Sequence, residues 1–370
     1  MKIVLQTYNF TFGGPQIWVC AMAERLVASG HEVHVLTFRK ASSQPAACHL
    51  VDRLQAVGVK LDTVELGRNY ILDVFRVKKV LRRYGQVDAI HCNSDFSDFI
   101  ALYAALFVGI PIRISHSRNT HQIGRWWTVY GIKRRLHRLL NASAANRYLG
   151  VSKEAAKSMF GPFVSARRIV EFPSGIDIES MVFGGLPQGN DRGLRILHVG
   201  RFAPQKDQLF VLSVFEQLLS IYPESSLLFV GDGPDRASIE GEILNRGLES
   251  KVRIVEPQAD VCRIMREEVD VFLFPSRWEG TPRVVIEAQA SGLPVVTSFA
   301  TPAISIVVPE LVKRLDRSMP LQDWVDAIAE IAKVEIDGAT IQSYFIDSKF
   351  NFDRQIPLIL NLYAQGSFEE

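Results

Sequence analysis

The chain has 370 residues, 47% of them hydrophobic, which is enough for sizeable cores and suggests two or three domains. A net charge of +2 excludes a chain-wide polyanion binder, and four scattered cysteines without a C-x-x-C pair exclude a disulfide scaffold and a zinc ribbon. No apolar leader with a small-residue cleavage site opens the chain, and the longest apolar run, 99–112, is too short to span a membrane. A cytoplasmic protein is expected, with 99–112 forming a buried helix that feeds a strand.

Short β-rich runs, several of them nearly all apolar, occur at 2–8, 32–38, 87–93, 112–117 and 147–152, with helical patterns filling most gaps. A second series follows at 194–200, 225–231, 252–257, 269–275 and 294–298. Such runs suit strands buried on both faces, and strand–helix–strand order implies parallel sheets with crossover helices. Between the series, 175–193 is rich in Gly, Pro, Asn and Asp and reads as a linker. The expected fold is α/β, with two doubly wound domains. Ligands bind such sheets beyond the carboxyl ends of the strands, so two domains facing each other would hold the site in the cleft between them. A last helix with an apolar stripe is expected at 350–365, and periodicity does not say where it goes.

The segment 277–296, RWEGTPRVVIEAQASGLPVV, carries Glu279 and Glu287 around a helix start. Thr281 is the expected N-cap and Pro282 the first helical residue, with Gly292 and Pro294 ending the helix. The free backbone N–H groups at Gly280, Thr281, Pro282 and Arg283, proline excepted, would form an anion site. Carboxylates beside an anion site repel its ligand unless they accept from hydroxyls. A pyrophosphate with polyols at both ends satisfies both demands. Spacing alone leaves open the plainer reading, in which Glu279 complements the helix dipole and Glu287 is solvated.

This segment resembles the E-x7-E motif of retaining glycosyltransferases of the GT-B fold, especially family 4. HVGRFAPQKD (198–207), LLFVGDGPDR (227–236), VSKEAAKSMFG with FPSGID (151–161 and 172–177) and the N-terminal TFGGPQIWVCAMAERLVASGHEVHVLT match the family in order. The resemblance implies two Rossmann-like domains, 1–178 and 190–350, with a last helix (about 352–370) crossing back to the first. It implies a nucleoside-diphosphate sugar on the C-terminal domain. Arg201 and Lys206 would hold its diphosphate, Glu287 its ribose and Glu279 the transferred sugar, with backbone N–H groups from Thr281 and Arg283. Gly13 and Gly14 would let the first loop approach the phosphates; the alternative for them is an ordinary turn. His116, in SHSRNT, would lie near the reacting sugar and contact a hexose hydroxyl or the acceptor; the alternative for a lone histidine is a structural role. Ser94, Asp95 and Arg118 would line the acceptor side.

The chain departs from the family at Ser174, where N-G-I-D is usual, and at Thr281, where an aromatic is common. It resembles the branch that builds capsules and exopolysaccharides, with EGTPRVVIEAQASGLPVV and RISHSRNT. No D-x-D triplet or ligand-spaced cluster is present, so no metal or other cofactor is expected, and the cationic loop and helix dipole would carry leaving-group charge.

From Arg113 to Arg147 there are eight Lys or Arg and no acid. Trp126, Trp127, Lys133, Arg134, Arg135 and Arg138 interleave with leucines, as in an interfacial helix on anionic lipid. A solvated basic face over core tryptophans and a partner-protein surface are the alternatives, and no nucleic-acid motif accompanies the patch. The expectation is a hexosyl- or amino-hexosyltransferase, with UDP preferred to GDP, acting on a glycan or lipid-linked acceptor while peripheral on the inner face of the cytoplasmic membrane. A nucleotide-sugar 2-epimerase of the same fold and a non-catalytic sugar-nucleotide or lipid binder are the rivals. A dehydrogenase is disfavoured, because GDGPDR has Arg236 where a third glycine belongs.

Overall fold

The computed structural model describes residues 1–11, 13–41, 45–120, 128–178, 193–257 and 260–365, with the side chains of 45 and 46 left aside. Trp126, Trp127 and most of the expected linker lie outside the described residues. Two compact units result: Met1–Gly175 together with Phe352–Glu370, and Ile176–Asn351.

In the first unit the elements run β1 (Lys2–Thr7), α1 (Gly14–Ala28), β2 (Glu32–Thr37), α2 (Pro45–Ala56), β3 (Lys60–Thr63), α3 (Tyr70–Arg83), β4 (Ala89–Cys92), α4 (Asp98–Val108), β5 (Ile112–Ser117), α5 (Val129–Ala144), β6 (Arg147–Gly150), α6 (Lys153–Phe160) and β7 (Ile169–Glu171). The sheet order is β3-β2-β1-β4-β5-β6-β7, and every pairing is parallel. Successive β1 residues point to opposite faces. Ile3 and Leu5 join the core under α1 and α2, while Val4 joins the core under α3, α4 and α6. That is why β1 reads as a continuous apolar run.

The second unit comprises β8 (Arg195–Val199), α7 (Gln208–Leu219), β9 (Ser226–Val230), α8 (Arg236–Asn245), β10 (Val252–Val255), α9 (Val261–Glu267), β11 (Val271–Phe274), α10 (Arg283–Ala290), β12 (Val295–Ser298), β13 (Val312–Leu315), α11 (Leu321–Ile331) and α12 (Gly338–Ile346). Its order is β10-β9-β8-β11-β12-β13, again all parallel. An apolar cluster of this unit joins Ile176 and Ile178 to Ile286, Leu311 and Phe345, so the start of the expected linker is core instead.

The last helix, α13 (Phe352–Gln365), packs in the first unit, against α1. Phe352, Ile359, Leu362 and Tyr363 are buried there, and the Arg25 guanidinium lies 4.4 Å from the Phe352 ring centroid. Gly175 permits the approach, because a Cβ there would lie 2.5 Å from Gln355 Oε1. Gln355 Nε2 donates to the Pro173 carbonyl at 3.0 Å. No described helix is long and apolar enough to cross a membrane. The run at 99–112 is a helix feeding a strand, as expected, but Leu106 and Phe107 at its end are exposed.

Candidate active site

In each sheet the strand order reverses direction once, between β1 and β4 in the first unit and between β8 and β11 in the second. Crevices beyond the carboxyl ends of strands at such points bind ligands in doubly wound folds. In the second unit, the loop after β8 carries Arg201 and Lys206, and the loop after β11 carries Glu279 and Gly280. In the first, the loop after β1 carries Gly13, and Ser94 and Asp95 follow β4.

Glycines shape the β8 loop. Gly231 follows β9 at φ +157, and a Cβ on it would sit 2.1 Å from the Gly200 carbonyl oxygen. A Cβ on Gly233 would sit 2.3 Å from the Phe202 carbonyl oxygen. The GDG turn is therefore pressed backbone to backbone against the loop that bears the cations. The Lys206 side chain runs past Gly200, whose missing Cβ would be 3.2 Å from Lys206 Cγ. Its ammonium lies 4.5 Å from the Phe274 ring centroid and donates to Glu279 Oε1 at 2.6 Å. Glu279 is only 6% exposed, so this ion pair is shielded from the solvent that weakens surface pairs.

Four residues later the helix makes a second pair. Arg283 Nε donates to Glu287 Oε1 at 2.5 Å. The helix starts differently from expectation: Pro282, at φ −70 and ψ 104, is the N-cap, and Arg283 is the first helical residue. Proline has no side chain able to cap, and none caps α10. Gly292, at φ +76, closes the other end as expected. The start of α10 thus presents its backbone dipole beside two carboxylate–cation pairs. Arg201 is exposed and forms no ion pair among the described residues.

The two loops are tied together by residues that sequence reading passed over. Gln205 Nε2 donates to the Trp278 carbonyl at 2.7 Å, and Arg277 N donates to the Gln205 carbonyl at 2.8 Å. Asp207 adopts φ +53, unusual for a residue with a side chain. It accepts from Arg277 Nε at 2.8 Å and from Arg317 Nη2. Burial pushes the Asp207 carboxyl upward, but these two guanidinium groups outweigh it and hold it below its ordinary range. Below the site, His198 Nδ1 lies 2.9 Å from the Leu273 carbonyl, and burial lowers this histidine to about 4.

In the first unit, α1 starts at an N-cap, Gly13, with no side-chain cap. A Cβ on Gly14 would meet nothing within 4 Å, so no protein atom demands glycine there. Across the switch point, Ser94 Oγ accepts from Gln6 Nε2 at 2.7 Å, and Ser94 N donates to the buried Asp98 carboxylate at 2.6 Å. Asp95, at φ +51, accepts from Arg118 N at 2.8 Å.

His116 does not stand at an open strand end. It is 0% exposed, with Nε2 2.9 Å from the Phe172 carbonyl and Nδ1 3.0 Å from His91 Nε2. A carbonyl only accepts, so His116 carries its proton on Nε2 and accepts on Nδ1. His91 must then donate from Nε2 and accept on Nδ1 from the Tyr363 hydroxyl, 2.8 Å away. Burial drives both histidines well below their ordinary range, with the Arg118 charge adding to it, so both are neutral. Arg118 packs 4.5 Å from the Trp18 ring centroid, reaches His116 Nδ1 at 3.2 Å and donates to Ser174 Oγ at 2.7 Å. The serine that replaces the family's asparagine is thus a ligand of Arg118.

The basic stretch divides. Arg138 is buried and donates to the Met159 carbonyl at 2.8 Å, and Arg134 stacks 4.3 Å from the Phe96 and Tyr130 ring centroids. Arg135 is half-buried and Lys133 exposed. A purely solvated basic helix is not what forms.

Residues 12–180 match the family described as Glycosyltransferase Family 4, and residues 188–337 match Glycosyl transferases group 1. EpsF of Bacillus subtilis (strain 168), a protein named as a glycosyltransferase, is 30% identical over 95% of this chain and 93% of its own. The chain belongs to this glycosyltransferase family. The UDP-Gal:alpha-D-GlcNAc-diphosphoundecaprenol alpha-1,3-galactosyltransferase of Escherichia coli is 22% identical over 75% of each chain. Among solved structures, HepE of Anabaena in complex with UDP and glucose superposes with a TM-score of 0.76 at 18% identity, covering 98% of this chain and 99% of that one. The fold is GT-B, built of two Rossmann-like parallel-sheet units.

Proposed function

We propose that the protein is a retaining hexosyl- or amino-hexosyltransferase. Its donor is a nucleoside-diphosphate sugar with uridine as the base, and its acceptor is a hydroxyl of a lipid-linked intermediate in capsule or exopolysaccharide synthesis. It works peripherally at the anionic inner face of the cytoplasmic membrane. The observation that carries the reading is the Lys206–Glu279 pair, 2.6 Å apart across the β8/β11 switch point beside the uncapped start of α10. A relative that uses UDP-Gal on a diphosphoundecaprenol acceptor and a neighbour solved with UDP support the choice of base and acceptor.

In this reading Lys206, Arg201 and the N–H groups of Thr281 and Arg283 hold the diphosphate, with no metal required. Glu287, oriented by Arg283, accepts from the ribose hydroxyls, and Glu279 accepts from a hydroxyl of the transferred sugar. The bond between C1 and the phosphate oxygen breaks as the acceptor oxygen bonds C1 on the same face. The acceptor proton passes to the departing phosphate. Cations already fixed around that phosphate stabilise its developing charge. Gly13 and Gly14 leave room at the first loop, and Ser94, Asp95 and Arg118 serve the acceptor. His116 acts through Arg118, which it positions.

The test is incubation with UDP-sugars and a diphosphopolyprenyl glycan, followed by NMR of the product anomer. A new glycosidic bond with the donor's α configuration supports the proposal. Inversion contradicts retention. An epimerised UDP-sugar formed without acceptor would establish the rival epimerase.

A further inference from the structure

We propose that the outer face of α3, α4 and α5 is the surface by which the protein docks on an anionic lipid bilayer. The inference deepens the membrane reading above and moves it from the tryptophan-bearing stretch to three helices of the first unit. More than half of the exposed large apolar side chains among the described residues lie on these helices. Ile71 is 70% exposed, Phe75 55%, Phe107 54% and Leu136 51%, with Leu72 and Leu139 beside them in sequence register. Ile71 and Phe75 are four residues apart, as are Ile132 and Leu136, so α3 and α5 each present a stripe, and α4 adds Leu106 and Phe107 at its end.

The stripes share one surface. Lys78 of α3 lies 5.8 Å from the Phe75 ring centroid and 5.6 Å from that of Phe107 on α4. The Tyr103 hydroxyl of α4 meets Ser143 Oγ of α5 at 2.8 Å, and Lys133 of α5 lies 5.5 Å from the Tyr70 ring centroid of α3. Single exposed apolar residues need no explanation, whereas a contiguous patch edged by charge marks a partner.

Charge selects the partner. The three helices carry two acids, Asp73 and Asp98, and both are fully buried; Asp73 pairs with Arg76 and Asp98 holds Ser94 N and Ser115 Oγ. The exposed charges are Arg76, Lys79, Arg82, Arg83 and Lys133, all cationic. A second copy would bring like charges together across a two-fold interface. Anionic headgroups suit this cationic surface while the acyl boundary takes the apolar stripe. Ile71 and Leu72 lie in the first turn of α3, and Ile132 lies near the start of α5. In a parallel α/β sheet that is the strand carboxyl edge, which also carries Ser94 and Asp95. The docking face therefore borders the expected acceptor side.

The test is co-sedimentation of the full chain with vesicles of phosphatidylglycerol and phosphatidylcholine, against pure phosphatidylcholine. The variants are Ile71→Glu with Phe75→Glu, and Leu136→Glu with Leu139→Glu; the thermal shift produced by UDP reports that the fold and donor site survive. Wild type should pellet with anionic vesicles in a salt-sensitive way and not with neutral ones, and each double variant should bind about tenfold more weakly. The inference is overturned if wild type stays in the supernatant, if the variants pellet like wild type, or if they change only self-association. Vesicle binding without any UDP shift would support this surface while removing the donor reading.

Discussion

Lys206 joins packing to chemistry in one side chain. Replacing it with alanine leaves the buried Glu279 carboxylate without its 2.6 Å donor. The expected results are a stability loss of about 2 kcal/mol and a fall in kcat of about 100-fold, read from thermal unfolding and from steady-state release of the nucleoside diphosphate. Glu279→Gln keeps the shape and an acceptor oxygen, so it should keep more stability than Lys206→Ala. Arg283→Leu should act differently: it frees Glu287 from its partner, so KM for the donor should rise about tenfold with kcat less affected. A variant pair with identical KM and kcat effects would contradict the separation of roles.

Legibility at this scale followed sequence distance. Glu279, Glu287, Lys206 and the cap glycines stand in short motifs, and spacing or resemblance reaches them. The Arg283–Glu287 pair was readable as an i, i+4 pair but was passed over for the backbone. Asp207 meets Arg277 and Arg317 across 70 and 110 residues, and no local pattern announces such a contact. His116 was legible as a strand-end histidine, but its burial depends on Trp18, His91 and Phe172 arriving from elsewhere.

Elements were legible where both faces are buried. The central strands β1, β4, β8, β11 and β12 read as apolar runs, and β5 as a short β-rich one. The three strands missed, β3 (KLDT), β7 (IVE) and β13 (VKRL), are three of the four edge strands, and none of their residues is fully buried. Solvent on one side permits lysine, aspartate and arginine there, which erases the signal. The GDG turn behind β9 gives a prediction at this scale. Gly231→Ala forces a Cβ to within 2.1 Å of the Gly200 carbonyl oxygen at a φ of +157, and should destabilise the second unit by about 3 kcal/mol, seen as an earlier thermal transition. Gly241→Ala, where a Cβ meets nothing within 4 Å in helix α8, is the control and should leave that transition in place or raise it.

For the molecule as a whole, resemblance reached what periodicity did not: the return of α13 to the first unit. Its Tyr363 hydroxyl ends the chain of hydrogen bonds through His91 and His116, so Tyr363→Phe leaves His91 Nδ1 without its donor and should cost about 1 kcal/mol. Buried neutral histidines also set a pH dependence. His198 falls from 6.5 to about 4 on folding, so between those values the unfolded chain binds the extra proton. The stability this contributes is fully present above about 6.5 and is lost as the pH falls toward 4. His91 and His116 shift in the same direction. Burial raises the Asp98 carboxyl and opposes this trend, so the histidine contribution is read as a difference: the melting temperature of His198→Gln should fall less between pH 7 and pH 5 than that of wild type. An equal pH trend in wild type and His198→Gln would contradict the neutral assignment of His198.

The most direct measurement of the donor site is the thermal shift given by nucleoside diphosphates and their sugars, in wild type and in the Lys206→Ala, Glu287→Ala double variant, with and without magnesium. A ligand well above its Kd raises the melting temperature by mass action. A shift is expected from the uridine series, indifferent to magnesium and lost in the double variant. No shift from any diphosphate, or one that survives removal of both side chains, would contradict it.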